Sequence, residues 1–299
     1  MNMLDVSIII INYNTCAMTL ECIDSIYNLT HGISFEVIVV DNNSNDESKS
    51  ILSKDPRIRY IYLSENLGFG KANNVGIKKS KGRYVFLLNS DTLLINNAIK
   101  ILCDYLDENI DVGAAGGNLF NISHQPVHSF QRTSPLVFEI DSLLMGVISK
   151  CLFGKNIDFN HSALPLDVKC IVGADLMIRK SVLDETGAFD SRFFMYCEES
   201  ELLHRIRDVG YRIISNPNAR IIHLEGKSFQ SDKQIDRIVL FRKSLKIYCN
   251  LHYNKIYYHA VNFVWNINVW TRIIGYTIIC SDKKQYWEKI KNRIKEASI

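Results

Sequence analysis

The most constraining stretch of the chain is Tyr84-Val85-Phe86-Leu87-Leu88-Asn89-Ser90-Asp91. Five apolar or aromatic residues follow one another without a polar break, which is the pattern of a strand buried on both faces in a parallel sheet, and the run then stops in three small polar residues. Ligands of open α/β sheets bind at the carboxyl ends of strands, so Asp91 stands where a ligand or a metal is expected. Capping of the next helix accounts for the same three residues when this stretch is taken alone.

Two earlier units repeat the pattern. Val6–Ile11 is a β-branched run ending in Asn12-Tyr13-Asn14-Thr15, and a helix is expected over 16–29, closed by His31-Gly32. The run 35–40 ends in Asp41-Asn42-Asn43-Ser44. One polar strand end can be a helix cap, whereas two adjacent ones make a pocket. Asp41 can accept hydrogen bonds from a ribose or a pyrimidine ring, and it can equally start the short helix expected over 46–53. No GxGxxG follows the first strand, so NAD and FAD are not expected.

The alternating run 59–63 leads into Glu65-Asn66-Leu67-Gly68-Phe69-Gly70-Lys71, where the glycines allow a tight turn or a close approach to a ligand before a helix that runs to about residue 80. The spacing is not that of a Walker loop. Lys71 is a candidate for neutralising phosphate, and a structural turn is the plainer account of the glycines. Further on, Gly113, Gly116 and Gly117 suit a strand lying close to another backbone. The long stretch 121–168 is expected to hold short helices around 136–150 and a lid or acceptor loop, with His124, His128, Arg132 and His161 along it.

A second dense cluster begins at residue 168. Gly173-Ala174-Asp175 lies between two strand-like pieces, and Asp175 is a candidate for holding sugar hydroxyls. The aromatic run Phe189 to Tyr196 then leads to Cys197-Glu198-Glu199-Ser200-Glu201. A helix amino terminus favours carboxylates, but three of them exceed what capping requires. A general base must reach its proton, and burial beside like charge raises a carboxyl pKa toward the working range. Glu199 is assigned that role with Glu198 beside it, and Glu201 is placed to pair with Arg205. His223 ends the apolar strand 220–223, where its imidazole can take a divalent ion or meet phosphate, or serve structure alone.

The series IINYN, VVDNNSND, ENLGFGKANNVG, YVFLLNSD, VGADLMIRKSVLDETGAFDSRFFMY, EESELLHRIRDVGY and IIHLEGKS resembles inverting glycosyltransferase family 2, within the subgroup containing bacterial rhamnosyltransferases of surface polysaccharide synthesis. The resemblance covers about residues 5–230. It implies an α/β GT-A fold, with a Rossmann-like mixed sheet, flanking helices and a C-terminal helical extension. It also implies transfer of a sugar from a nucleotide-sugar donor with a divalent cation, Mg²⁺ or Mn²⁺. On the matching positions, Asp41 would contact the nucleotide base, Asn89-Ser90-Asp91 would be the DXD-type segment, Glu199 the base, and His223 a residue near metal or diphosphate. Asn12, Asn14, Asn66, Gly68, Lys71, Asn89 and Asp175 complete the expected donor-binding set, with Asp91 and His223 at the metal. Two positions depart from the family pattern: Asn89 leaves Asp91 as the triad's only carboxylate, and Glu198-Glu199 stands where Glu-Asp is common. A nucleotidyltransferase would need a basic triphosphate loop after the first strand, which Asn12-Tyr13-Asn14 does not supply. A sugar-binding module without turnover would keep much of the pattern.

Net charge of +3, from 35 basic and 32 acidic residues, argues against a dedicated nucleic-acid binder. Eight cysteines without CxxC spacing read as free thiols of a reducing compartment, and the amino terminus lacks a basic segment followed by an apolar export run, so a cytoplasmic location is expected. The division expected from sequence is a transferase domain over 1–233 and a helical extension over 234–299. The extension is apolar and aromatic from 257 to 280, interrupted by Asn262, Asn266, Asn268 and Arg272, and is followed by six Lys or Arg between 283 and 295. The polar interruptions disfavour a transmembrane span, and it reads rather as helices packed on the body or lying at the inner face of an anionic membrane, near a lipid-linked saccharide acceptor, or as a homodimer contact.

Overall fold

The computed structural model describes residues 4–224, 234–279, 281 and 283–297. They form two compact units. The first holds residues up to Arg132, Asp158–Phe194 and the stretch from Glu198 onward to the end of the sheet; the second holds Thr133–Ile157, Met195–Cys197 and the C-terminal helices. The division is therefore not a single cut in the sequence. Glu225–Ser228 of the last motif and Cys280 lie outside the described residues.

In the first unit, β1 (Leu4–Asn12), β2 (Phe35–Asp41), β3 (Ile58–Tyr62) and β4 (Gly82–Asn89) pair in parallel in the order β3-β2-β1-β4. Beyond β4 the sheet changes direction. β10 (Asp175–Arg179) runs antiparallel to both β4 and β6 (Val112–Phe120), and β11 (Arg212–His223) is parallel to β6. The short β5 (Thr92–Leu94), which has no signature in the sequence, closes the edge antiparallel to β11. Tyr84–Leu88 is buried as its composition requires, but only one of its two neighbours is parallel.

Strand alternation divides the core between the two faces of the sheet. Ile8, Ile10 and Phe86 turn to the face covered by α1 (Cys16–Leu29) and α4 (Ala98–Glu108), whose Ile23, Ile26, Leu102 and Leu106 are fully enclosed. Ile9, Val85, Leu87 and Ile178 turn the other way, against Ile77 of α3 (Phe69–Ile77), Val182 of α7 (Lys180–Thr186) and Leu202, Leu203 and Ile206 of α8 (Glu198–Asp208). Each such side chain contributes roughly 1.5–3 kcal/mol on burial, so a central strand apolar on both faces is held on both sides at once.

Two stretches depart from the sequence expectations in detail. The helix expected over 46–53 contracts to α2 (Ser48–Leu52), because Asp46 accepts from the Ser48 N–H instead of joining the helix. The runs 212–214 and 220–223 are one strand, with a register shift between Ser215 and Arg220 that accommodates Pro217. Proline cannot donate to a ladder and is tolerated at such irregularities. The glycines of β6 serve close packing: a Cβ at Gly117 would lie 2.5 Å from the Ala219 carbonyl oxygen.

The second unit contains α5 (Pro135–Leu143), α6 (Val147–Phe153), α9 (Gln234–His252), α10 (Lys255–Ile278) and α11 (Lys283–Glu296). Its interior is partly polar. The Arg242 guanidinium, 1% exposed, donates to Glu139 Oε1 at 2.7 Å and to Asn262 Oδ1 at 3.1 Å, and lies over the Trp265 ring. Asn268 donates to the Glu139 carbonyl at 2.9 Å. Two of the asparagines that interrupt the apolar run of α10 thus solvate a buried ion pair, as buried charge requires. No described helix is long and apolar enough to cross a membrane.

Candidate active site

The carboxyl ends of β1, β2 and β4 lie side by side, with Asn12 in register with Asp41 and Ile11 in register with Asn89. Asp41 is fully enclosed. Its Oδ2 accepts from Asn12 Nδ2 at 3.2 Å and from the Tyr60 hydroxyl at 2.7 Å, and its Oδ1 accepts from the Ser44 N–H at 2.8 Å. Burial, and then the Asp41 carboxylate it donates to, push the Tyr60 hydroxyl pKa up. Asn12 has no capacity left for a ligand: it also donates to Ser44 Oγ, and its Oδ1 accepts from the Thr15 and Thr19 hydroxyls. The structure therefore makes Asn12 a positioning residue for Asp41 and not a direct donor contact. Thr15 donates onward to Ser90 Oγ at 3.0 Å, tying this network to the polar end of β4.

A second network shapes the glycine turn. Asn42 Nδ2 donates to Asn66 Oδ1 at 2.9 Å, Asn42 Oδ1 accepts from the Leu67 N–H, and Asn66 Oδ1 also accepts from the Gly68 N–H. Gly68 has φ +80°, and an added Cβ would stand 2.1 Å from the Phe194 carbonyl oxygen, so only glycine fits. Asn14 is exposed at φ +56°, its Oδ1 accepting from the Asn45 N–H, and Lys71 is half-buried in the first turn of α3. Tyr60, Ser44, Thr15 and Thr19 escape sequence reasoning. Tyr60 reads as one residue of an alternating strand, and its meeting with Asp41 follows only from the pairing of β2 with β3.

At the end of β4 the Asn89 N–H donates to the Ala174 carbonyl at 3.0 Å. One residue before Ala174, Gly173 lies beside the carboxyl group of Glu199, which stands at the start of α8. A Cβ at Gly173 would be 3.8 Å from the Glu199 carboxyl carbon and 3.5 Å from the Phe69 ring, so the glycine leaves open the space beside that carboxylate. Burial raises the Glu199 pKa, an effect opposed by the backbone N–H groups of Glu199 and Gly173 and by the nearby His128. Glu198 is 3% exposed, and its Oε2 has no hydrogen-bond partner among the described residues. Burial, reinforced by the neighbouring Glu199 charge, holds its pKa well above the usual carboxylate range. Burial thus raises the proton affinity of both members of the pair. Glu201 pairs with Arg205 through two hydrogen bonds of 2.8 and 2.7 Å, as the i,i+4 spacing leads one to expect.

Ionisation of Glu198 gives stability a definite sign of pH dependence. With its folded pKa above its ordinary value of 4.5, its contribution is fully present below that value and is lost as pH rises toward the folded pKa. Glu198→Gln is expected to flatten the decline of unfolding free energy with rising pH, measured by denaturant titration between pH 5 and 8. Superimposable profiles for the two proteins would contradict the assignment.

Asp91 and His223 meet at the opposite end of the same polar segment. Thr92 of β5 is in register with His223 of β11, which brings His223 Nε2 to 3.4 Å from Asp91 Oδ1, with side chains 12% and 7% exposed. The Leu224 N–H donates to the Asp91 carbonyl. Ligands in adjacent positions around an octahedral ion with bonds of ~2.1 Å lie about 3.0 Å apart, so this oxygen and nitrogen fit two neighbouring ligand positions. His223 Nδ1 is enclosed with no acceptor among the described residues. An ion at Nε2 would leave the ring proton on Nδ1, and the charged Asp91 would then be the stronger of the two anchors. Asp175 departs from expectation: it is fully enclosed, accepts from the Gly117 N–H at 2.6 Å, and has its pKa raised well above the usual range by burial. Its register opposite Leu88 places it inside the sheet.

Residues 7–187 match the family model for glycosyl transferase family 2. An uncharacterized glycosyltransferase of Rickettsia bellii is 34% identical over 163 residues, covering 54% of this chain and 22% of that protein. The low-salt glycan biosynthesis hexosyltransferase Agl10 of Haloferax volcanii is 30% identical over 207 residues, covering 68% of this chain and 62% of its own. The chain thus spans less than two thirds of the length of either relative. In three dimensions it is similar to the mannosyltransferase PcManGT of Pyrobaculum calidifontis, solved with GDP-Man and Mn²⁺, with a TM-score of 0.57 at 16% identity over 99% of this chain and 86% of that one. The mixed sheet with its flanking helices is the GT-A fold, and the chain belongs to glycosyl transferase family 2.

Proposed function

We propose that the protein is an inverting, nucleotide-sugar-dependent glycosyltransferase that moves rhamnose from dTDP-rhamnose to a hydroxyl of a lipid-linked or growing surface-polysaccharide acceptor, on the cytoplasmic side of the membrane. The observation that carries the reading is the position of the Glu199 carboxyl group beside Gly173, next to the Ala174 carbonyl that accepts from the Asn89 N–H at the end of β4. A base is thereby held beside the Asn89-Ser90-Asp91 segment. Glu199 accepts the proton of the acceptor hydroxyl, whose oxygen forms the new bond to the anomeric carbon on the face opposite the diphosphate. The bond to the diphosphate breaks, and its electron pair leaves on the diphosphate oxygen.

The Asp41 network would receive the nucleotide base, with Asn12 and Tyr60 fixing the carboxylate. Asp91, with His223 beside it, would hold the divalent cation. The imidazole favours Mn²⁺ over Mg²⁺. When bound, the cation supplies positive charge against the diphosphate as negative charge grows there. Asn89 contributes no charge to this set, so diphosphate oxygens and water would make up the remaining ligands.

A hexose donor is the second reading, supported by the similarity to a hexosyltransferase. A donor panel decides between them: dTDP-rhamnose, UDP-glucose, UDP-galactose and their N-acetyl forms, each with a lipid-linked saccharide. Release of dTDP with formation of a rhamnosylated acceptor is the expected result. Turnover of a UDP-sugar alone would replace the donor assignment, and donor binding without turnover would mark a sugar-binding module instead.

A further inference from the structure

Helix α10 is apolar on two opposite sides. Tyr258, Val261, Val269 and Ile273 face the interior of the second unit. Ile256, Phe263, Trp270, Ile274 and Ile278 are 48% to 79% exposed. At ~100° per residue these five fall within an arc of about 80°, and from first to last they span about 33 Å. The outward face of the helix is therefore a continuous apolar stripe.

The charge around the stripe identifies what would cover it. Helices α9, α10 and α11 together carry twelve Lys or Arg against three Asp or Glu, whereas the whole chain is only +3, so the remainder is net acidic. The basic charge reaches the stripe itself: Lys291 Nζ of α11 sits 3.5 Å from the centroid of the Trp270 ring. Apolar side chains bordered by lysines match the layered chemistry of an anionic lipid surface, with acyl chains beneath negative headgroups. A second copy of this chain would bring like charge against like charge. We infer that α10 docks in the plane of an anionic bilayer, with its outward stripe in the acyl boundary and the lysines of α11 against the headgroups. No described helix is long and apolar enough to cross that bilayer.

All three tryptophans of the chain, Trp265, Trp270 and Trp287, lie in α10 and α11, which makes native fluorescence a direct probe. The full chain is expected to float with phosphatidylcholine vesicles containing 30% phosphatidylglycerol, and its emission to be quenched when the phosphatidylcholine carries brominated acyl chains. Replacing Lys289 and Lys295 by Gln is expected to lower partitioning roughly 25-fold at constant salt, about fivefold for each charge. Phe263→Asp with Ile274→Asp is expected to abolish quenching while the thermal melting curve is kept. Failure of the unmodified chain to float, equal flotation on neutral vesicles, or a dimer in sedimentation that these two apolar changes dissociate without any vesicle binding would each overturn the inference. The assay contains no sugar donor, so its outcome is independent of the transfer reaction.

Discussion

Glu199→Gln is expected to reduce turnover by about 10²–10⁴-fold, the range typical for loss of a general base, while donor affinity changes little. Gln keeps the shape of the side chain and fits the same space beside Gly173. Only the capacity to take a proton is lost. Nucleoside diphosphate release measured under saturating donor and acceptor, with donor binding by calorimetry, tests both halves. Because burial raises the Glu199 pKa, the rate in the unmodified enzyme should climb as pH rises through that raised value and then level off. A rate unaffected by the substitution would remove Glu199 from the reaction.

Asp91→Ala is expected to lower turnover by about 10³-fold, since a loss of roughly 4 kcal/mol of charge stabilisation is three factors of ten. The same change should eliminate the Mn²⁺-dependent gain in affinity for dTDP or UDP. His223→Ala should weaken that gain to a smaller extent, because the enclosed Nδ1 of His223 has no acceptor among the described residues while Asp91 offers a full charge. Calorimetric titration of the nucleotide with and without Mn²⁺ reads this apart from catalysis. An unchanged Mn²⁺ effect in Asp91→Ala would place the cation elsewhere.

Much of this site is legible along the chain because each strand of the first half ends in a different polar signature. The runs ending at Asn12, Asp41 and Asn89 are apolar on both faces and stop abruptly, and the structure sets those three ends side by side. The acidic start of α8 is equally visible, since three glutamates after an aromatic run exceed what a helix terminus needs. What each polar residue does is not legible in the same way. Asn12 and Asp175 read as ligand contacts, yet one spends all its hydrogen bonds on its neighbours and the other is sealed between β4 and β6. A residue type reports the bonds a side chain can make, and only its surroundings determine which are already made.

The Asn89-Ser90-Asp91 ending, the glutamate pair and the apolar, aromatic character of residues 257–280 were determined by sequence alone, because periodicity and abrupt changes of polarity are local properties. The antiparallel insertion of β10, the joining of Asp91 to His223 and the raised proton affinity of Glu198 and Glu199 were decided by tertiary structure. Strand partners lie far apart along the chain, and a carboxyl group's proton affinity depends on water excluded and donors supplied by segments that sequence order does not bring together.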